Sequence, residues 1–224
     1  MKKMTLRILF PALVFGFLCL SAKADTVTYQ VTVDTSSQSG NYGYIDLQLN
    51  QGTLGSLPIT ATIAGFAGGA LNPADGSNYA TGSYGHLPGT LTIPADVSTD
   101  YFEGLTFGNS LSFDITLSGT GVNLAGLAGG TSGSMFVFGF YDSASNPLFT
   151  SDPSGATGLI EIANDGTVDV NALPGPSGGQ SLTTFTPLDN PPEVTPEPST
   201  LSLFACAGAA FLLLRRTLSA TVAR

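Results

Sequence analysis

The middle of this chain has no Lys or Arg. All sixteen acidic residues fall between Asp25 and Glu197, so this stretch has a formal charge of 0 − 16 = −16. Binding to nucleic-acid phosphates or anionic lipid headgroups needs Lys or Arg, and a field of this sign repels both. The charge pattern therefore excludes nucleic acid and leaves neutral or cationic partners. The seven basic residues lie at the two ends, at Lys2, Lys3, Arg7, Lys23, Arg215, Arg216 and Arg224.

Cysteine and histidine are also nearly missing. Cys19 and Cys206 lie in apolar runs near the two ends, so the acidic middle has no thiol for a disulfide. A zinc site usually takes three or four His or Cys ligands, whereas the middle has only His86. A Ser-His-Asp hydrolase would also have to use His86, and the sequence has no G-x-S-x-G motif to go with it. We therefore expect His86 to be an ordinary loop residue.

Residues 1–24 have the order of parts of a secretory signal peptide. A basic start leads into an apolar run, Ile8–Leu20, and then to Ala22 and Ala24, the small residues of an A-x-A cleavage site. We expect cleavage by signal peptidase after Ala24. An N-terminal membrane anchor is the alternative, which the short run disfavours because the hydrocarbon core is about 30 Å thick. A lipoprotein site at Cys19 is weaker, since no pair of small residues precedes it.

The other end combines a proline-rich linker, a short apolar run and a basic tail. Residues 189–195 predict an extended linker. The run 201–214 predicts a transmembrane helix, although at 1.5 Å per residue it reaches only about 21 Å. Arg215 and Arg216 follow at once and should stop transfer, which leaves the acidic middle outside the cytoplasm. A plain anchor or a buried helix is the alternative.

A tripeptide in front of this run connects the tail to a known sorting signal. Pro196, Glu197 and Pro198, followed by the apolar helix and the arginines, resemble a PEP-CTERM segment spanning residues 196–224. In that family an exosortase, a membrane enzyme of Gram-negative bacteria, recognises the tripeptide and cleaves nearby. The resemblance implies exosortase and signal peptidase as processing partners. It also implies an inner-membrane intermediate, held by the helix, and then release to the cell surface or extracellular matrix.

The stretch between the ends, residues 25–188, has the pattern of β-strands. Residues 26–34 and 111–118 alternate apolar and polar side chains, which is typical of strands with one buried face. Residues 135–141 are apolar on both sides and predict a central strand. Residues 158–170 predict a hairpin that turns at Asn164, Asp165 and Gly166. Further strands are expected at 42–49, 58–64, 89–93, 101–107 and 181–186.

Short strands with Gly and Pro turns, and no helix between the two ends, predict an all-β protein. The pattern favours one antiparallel β-sandwich or jelly-roll domain. This domain also resembles a recurring group of PEP-CTERM proteins of unassigned activity, through stretches such as LPGTLTI and FGFYDSASNPLFTSDPSG. The resemblance implies an exported β-domain and brings no catalytic residues. Among the buried side chains we expect Val31, Phe113, Ile115, Val137 and Phe138.

Two kinds of binding site can be built from the side chains of this domain. Exposed tyrosines could stack on sugars, and the alternative is that they pack in the core or fill loops. Calcium needs only oxygen ligands, but no EF-hand spacing is present, so calcium stays an open alternative and no other metal or cofactor is expected. The tyrosine candidates are Tyr42, Tyr44, Tyr79 and Tyr84, and the calcium candidates are Asp75 with Asn78 and Asp165 with Asp169.

A glycoside hydrolase would need a pair of carboxyl groups. Asp114 and Glu161 fall on polar strand faces, where acids are normally solvated, and Asp100 and Glu103 flank a strand start. The leading hypothesis is therefore a non-enzymatic surface or matrix protein that acts with exopolysaccharide in biofilm. A carbohydrate- or calcium-dependent binding module is the alternative, and a secreted glycan hydrolase is a more distant one.

Overall fold

The computed structural model describes residues 26–52, 58–95, 99–119, 122, 133–163 and 166–188. Ala24–Pro192 form one compact unit. In the described ranges, antiparallel β-strands account for nearly all regular structure, and two 3₁₀ turns, Ser36–Gln38 and Pro176–Gly178, are the only helical segments. The predicted mostly-β, antiparallel class is therefore confirmed. The predicted signal peptide, the linker and the sorting segment lie outside the described residues.

Twelve strands are paired in one continuous network. They run in the order β11, β10, β8, β2, β7, β3, β6, β5, with β1 between β12 and β7, β4 beside β7 and β9 beside β8. The predicted central strand, β8, indeed lies between β10 and β2. The strands are β1 Thr26–Asp34, β2 Tyr42–Asn50, β3 Thr60–Leu71, β4 Tyr79–Thr81, β5 Tyr84–Gly85, β6 Leu91–Pro94, β7 Thr99–Ser118, β8 Ser134–Asp142, β9 Pro147–Leu148, β10 Ala156–Ile162, β11 Val168–Ala172 and β12 Thr183–Pro187.

The long strand β7 has different neighbours along its 20 residues. Its first part, from Thr99 to Thr106, pairs with β2. Its second part, from Ser110 to Ser118, pairs with β1 on one side and with β3 on the other. We call β11, β10, β8, β2, the first part of β7 and its short partner β4 the β2 group. The β1 group contains β12, β1, the second part of β7, β3, β6 and β5.

The sequence predicted two separate strands where β7 is continuous. Gly108-Asn109-Ser110 is typical of a turn, yet the strand passes through it while the register of β3 against β7 shifts twice nearby. The backbones approach closely here, because a Cβ on Gly108 would lie 1.8 Å from the carbonyl oxygen of Gly68. Glycine at both positions permits this approach, so the segment bends instead of ending the strand.

The two groups share one hydrophobic core. Alternate residues along both parts of β7 are buried, as the period of two requires. Phe113 on β7 meets Phe138 on β8 edge to face, with ring centroids 5.5 Å apart. Phe138 also contacts Phe185 on β12, at 5.9 Å. Because β8 and β12 belong to different groups, these contacts join the groups through their inner faces.

One expected core residue is on the other face. Val31, Phe113, Ile115 and Phe138 are at most 1 % exposed, as predicted, whereas Val137 is only half-buried. The core side of β8 is formed by its phenylalanines, and Val137 lies with the outward-facing residues between them. Because β8 is apolar on both faces, the alternation of its sequence could not decide which face is inside.

Candidate functional site

Aromatic side chains form a row on the outer face of the β2 group, the face opposite the core. The register places Tyr44 of β2 opposite Tyr141 of β8, and Tyr79 of β4 opposite Phe102 of β7. Tyr42 lies two residues before Tyr44 and therefore on the same face of β2. We call these five side chains the aromatic row. Three of the four tyrosines that the sequence proposed for sugar binding belong to it.

The rings of the aromatic row support one another. Phe102 is stacked between Tyr44, at a centroid distance of 4.7 Å, and Tyr79, at 5.3 Å. Tyr42 meets Tyr44 edge to face at 5.6 Å, and Tyr141 is tilted against Phe102 at 6.3 Å. Offset and edge contacts of this kind each contribute about 0.5 to 1.5 kcal/mol beyond area burial. The row is therefore held in one arrangement before any ligand arrives.

Tyr79 is the most accessible member of the row. It is 47 % exposed, one face of its ring covers Phe102, and its hydroxyl donates to Oδ2 of Asp100 at 2.9 Å. Burial and the hydrogen bond to Asp100 raise the pKa of Tyr79, so the phenol stays neutral at physiological pH. A fixed, neutral and partly exposed ring can receive an apolar ligand surface at little cost in side-chain entropy.

Two carboxyl groups lie beside the row. Asp46 of β2 is only 8 % exposed, and Nε2 of Gln48 donates to its Oδ2 at 2.9 Å. Burial, and then the charge and hydrogen bond of neighbouring Asp100, raise the pKa of Asp46 to about 7. Two adjacent carboxyl groups resist double ionisation. We call Asp46 and Asp100 the carboxyl pair.

An open depression continues from the carboxyl pair along β2 and β8. Its cavity volume is about 170 Å³. Polar side chains of Asp46, Gln48, Asn50 and Ser154 line part of it, and Met135, Val137 and Tyr141 line the rest. The aromatic row, the carboxyl pair and this depression form one continuous surface, which is the candidate site.

The loop between β3 and β4 is pinned beside this surface. The Tyr42 hydroxyl donates to Asp75, and the backbone N–H of Ser77 donates to the other oxygen of Asp75 at 2.7 Å. Burial, followed by the bond to Asp75, raises the pKa of Tyr42 to about 12. Asn78 accepts from the N–H of Gly104 and donates to the carbonyl of Asn72, both at 2.8 Å.

These bonds bear on the calcium candidates. Asp75 and Asn78 use their polar atoms to fix the loop, so the structure does not assemble them into a set of free ligands. In the second candidate, Asp169 accepts from Asn171 at 3.2 Å, and Asp165 lies outside the described residues. Within the described ranges no three His, Cys, Asp or Glu side chains come together.

The four acids considered for hydrolysis are also not brought together. Asp100 and Glu103 lie on opposite faces of β7. Glu103 is 4 % exposed and accepts a hydrogen bond from the hydroxyl of Tyr101, and burial raises its pKa. Asp114 belongs to the β1 group, and Glu161 is exposed on β10. His86 is exposed after β5, as expected of a loop histidine.

No family model, curated protein or solved structure matches the chain. The candidate site therefore rests on its geometry alone. In the part of the chain that the structure describes, no helix is long and apolar enough to cross a membrane. The residues predicted for processing lie outside that part: Ala22, Ala24, Pro196, Glu197, Pro198, Arg215 and Arg216.

Sequence reasoning missed three members of the aromatic row and the carboxyl pair. Asp46 follows Tyr44 on the same face of β2, so the alternation of that strand could have found it. Phe102 and Tyr141 are on other strands, and only the pairing register brings them to the row. Tyr84 was proposed with the row but is 67 % exposed on β5, which pairs with β6 at the other end of the strand order.

Proposed function

We propose that this protein is an exported, non-enzymatic surface or extracellular-matrix protein, sorted by an exosortase, whose β-domain binds extracellular polysaccharide through the aromatic row. The route is supported by the order of parts at the two ends: signal peptide, Pro-Glu-Pro, apolar helix and arginines. The binding role is supported by the site on the outer face of the β2 group.

The stacked position of Tyr79 is the observation that carries the binding role. The C–H face of a sugar ring is apolar, and packing it on an aromatic ring removes apolar surface from water. Phe102 supports Tyr79 from one side and Asp100 holds its hydroxyl. Sugar hydroxyls can then find polar partners in the adjoining depression, at Gln48 and Asn50.

The spacing of the carboxyl pair favours binding over hydrolysis. Glycosidases hold their two carboxyl groups about 5 Å apart or farther, so that a sugar or a water fits between them. Asp46 and Asp100 are close enough to hydrogen-bond to each other. Two groups in that contact leave no room for a sugar or a water between them.

The architecture that we propose for the domain is a β-sandwich of jelly-roll type. The β2 and β1 groups would form its two layers, with β7 passing from one to the other. Contacts between Phe113 and Phe138 and between Phe138 and Phe185 support this arrangement, because they join strands of different groups. The aromatic row then occupies the outside of one layer, where a long polymer has access.

Polysaccharide binding can be tested with two tyrosine variants. Tyr79→Ala should weaken binding to a neutral polysaccharide by about ten-fold or more, equivalent to about 1.4 kcal/mol. Tyr84→Ala removes an even more exposed tyrosine away from the row and should leave binding unchanged. Affinity electrophoresis against soluble glucans, galactans and amino-sugar polymers measures both. Equal effects of the two variants, or no binding by the wild type to any of these polymers, would overturn the proposed role of the row.

A further inference from the structure

The carboxyl pair has no Lys or Arg partner from the domain. Asp46 lies on β2 and Asp100 on the neighbouring β7, both on the outer face of the β2 group. Residues 25–197 contain no Lys or Arg, so no basic side chain of the domain can neutralise the pair. In folded proteins, buried charges are normally paired with an opposite charge or coordinate a metal.

Each acid of the pair also has an oxygen that no residue outside the pair satisfies. Oδ1 of Asp46 and Oδ1 of Asp100 are buried, and apart from the contact between the two acids no group in the described ranges donates a hydrogen bond to either. The remaining Oδ2 atoms accept from Gln48 and Tyr79, respectively, which fixes the two carboxyl groups in place. Buried polar atoms in native proteins nearly always have a partner, so these two oxygens either share a proton or bind a cation.

The surroundings offer oxygen ligands and space. Asp46 lines the open depression of about 170 Å³ together with Gln48, Asn50, Tyr141 and Ser154, all of which carry side-chain oxygen. Gln48 uses its nitrogen towards Asp46, so its amide oxygen is not engaged in that bond. Calcium takes six to eight oxygens and accepts carboxylates, amides and water in a flexible geometry.

We propose that the carboxyl pair binds a divalent cation of the calcium type, with Asp46 and Asp100 as its anionic ligands. Gln48 and water in the depression complete the coordination. This site differs from the calcium candidates of the sequence that the structure describes, because Asp75 and Asn78 are bonded within the loop and Asp169 lies on β11. It also stands independently of polysaccharide binding, since it needs only the two carboxyl groups and the adjoining space.

The tyrosines around the pair provide a direct probe. Terbium(III) occupies calcium sites and becomes luminescent when a nearby tyrosine is excited, and Tyr79 is hydrogen-bonded to Asp100. The chain has no Trp to compete for excitation. We expect the full-length protein to give saturable, tyrosine-sensitised terbium emission that calcium displaces.

Matched Asp→Asn variants assign the signal to the pair. Asp46→Asn and Asp100→Asn should each weaken terbium affinity at least about ten-fold, whereas Asp169→Asn, exposed on β11, should not change it. Circular dichroism checks that each variant is folded. Calcium should also raise the melting temperature of the wild type but not of Asp100→Asn, because only the native state binds.

Two results would overturn the proposal. Emission that does not saturate would show only diffuse attraction to the acidic surface. Saturable emission of equal affinity in the wild type and in Asp46→Asn would place the ion elsewhere and leave the pair with a shared proton only. Neither result depends on a polysaccharide, so failure here is distinguishable from failure of the proposed binding function.

Discussion

Phe113 is one of the buried side chains that join the two strand groups. It is 1 % exposed and meets Phe138 edge to face. Removing the ring should leave a cavity and cost about 3 to 5 kcal/mol of unfolding free energy. Urea unfolding of Phe113→Ala measures this loss. Tyr84→Ala is the control, because an exposed substitution should change stability by only about 0.5 kcal/mol.

Glu103 should make stability depend on pH. Burial raises the pKa of its carboxyl above the ordinary value, despite the hydrogen bond from Tyr101 and the nearby charge of His86. The folded state therefore holds the proton more tightly than the unfolded state does. This contribution is complete below the ordinary pKa of Glu, about 4.3, and is lost as pH rises through the folded value.

Replacing Glu103 by Gln should remove that loss. Gln keeps an oxygen that can accept from the Tyr101 hydroxyl but never ionises. The unfolding free energy of Glu103→Gln relative to the wild type should therefore increase as pH rises above about 4.3. Urea unfolding across pH 4 to 8 measures the difference, with Glu161→Gln on exposed β10 as the matched control. A constant difference between Glu103→Gln and the wild type would contradict the inferred burial effect.

At the residue scale, alternation predicted burial where one face of a strand is polar. Phe113 and Ile115 were predicted correctly because Asp114 lies between them and marks the outer face. The predicted burial of Val137 was wrong because its strand has no polar residue that marks the outer face. The same reasoning could have placed Asp46 on the outer face of β2. It could not have predicted the contact of Asp46 with Asp100, because the two residues lie on different strands.

Among the elements, the bend of β7 against β3 should be sensitive to glycine substitution. Gly68 has a φ of +89°, and a Cβ there would lie 1.9 Å from the carbonyl oxygen of Ser110. Gly68→Ala should therefore lose well over about 1 kcal/mol of stability. Gly76→Ala is the matched control, because a Cβ at Gly76 meets nothing within 4 Å. Similar melting temperatures of the two variants would contradict the close approach of the backbones.

Elements with a strong local signal were predicted, and those defined by distant contacts were not. The hairpin of β10 and β11 pairs as expected on either side of its turn, because Asn, Asp and Gly favour such turns locally. The short strands β4, β5 and β9 went unrecognised. Each has only two or three residues and exists because a longer strand lies beside it. The continuity of β7 through Gly108-Asn109-Ser110 was missed for a similar reason, because it depends on contacts with neighbouring strands.

For the whole molecule, the sorting route makes a prediction about processing. If an exosortase reads the tripeptide, Glu197→Ala should leave export and signal-peptide removal intact but trap a longer, membrane-associated form. The predicted apolar run is short for a permanent anchor, so wild-type retention should be temporary. Cell fractionation and intact-mass measurement in a host with a matching exosortase decide this.

Folding of the β-domain provides the control for that experiment. The proline-rich linker separates the tripeptide from the β-domain, so Glu197→Ala should have the same melting temperature as the wild type. A wild-type chain that keeps Arg215 and Arg216 at the cell surface would contradict the sorting route, because the segment would then be an ordinary anchor.

The position of β1 between β7 and β12 sets an order of events in time. In a chain that leaves a channel with its N-terminus first, β1 emerges before any strand that pairs with it. It can pair only after β7 has emerged. Its other edge stays unpaired until β12, the last strand of the domain, has emerged. The N–H of Leu188 then donates to the carbonyl of Thr28 at 2.9 Å, joining the end of the domain to its beginning. Such distant pairings fold slowly, so the domain closes only when the proline-rich linker reaches the channel.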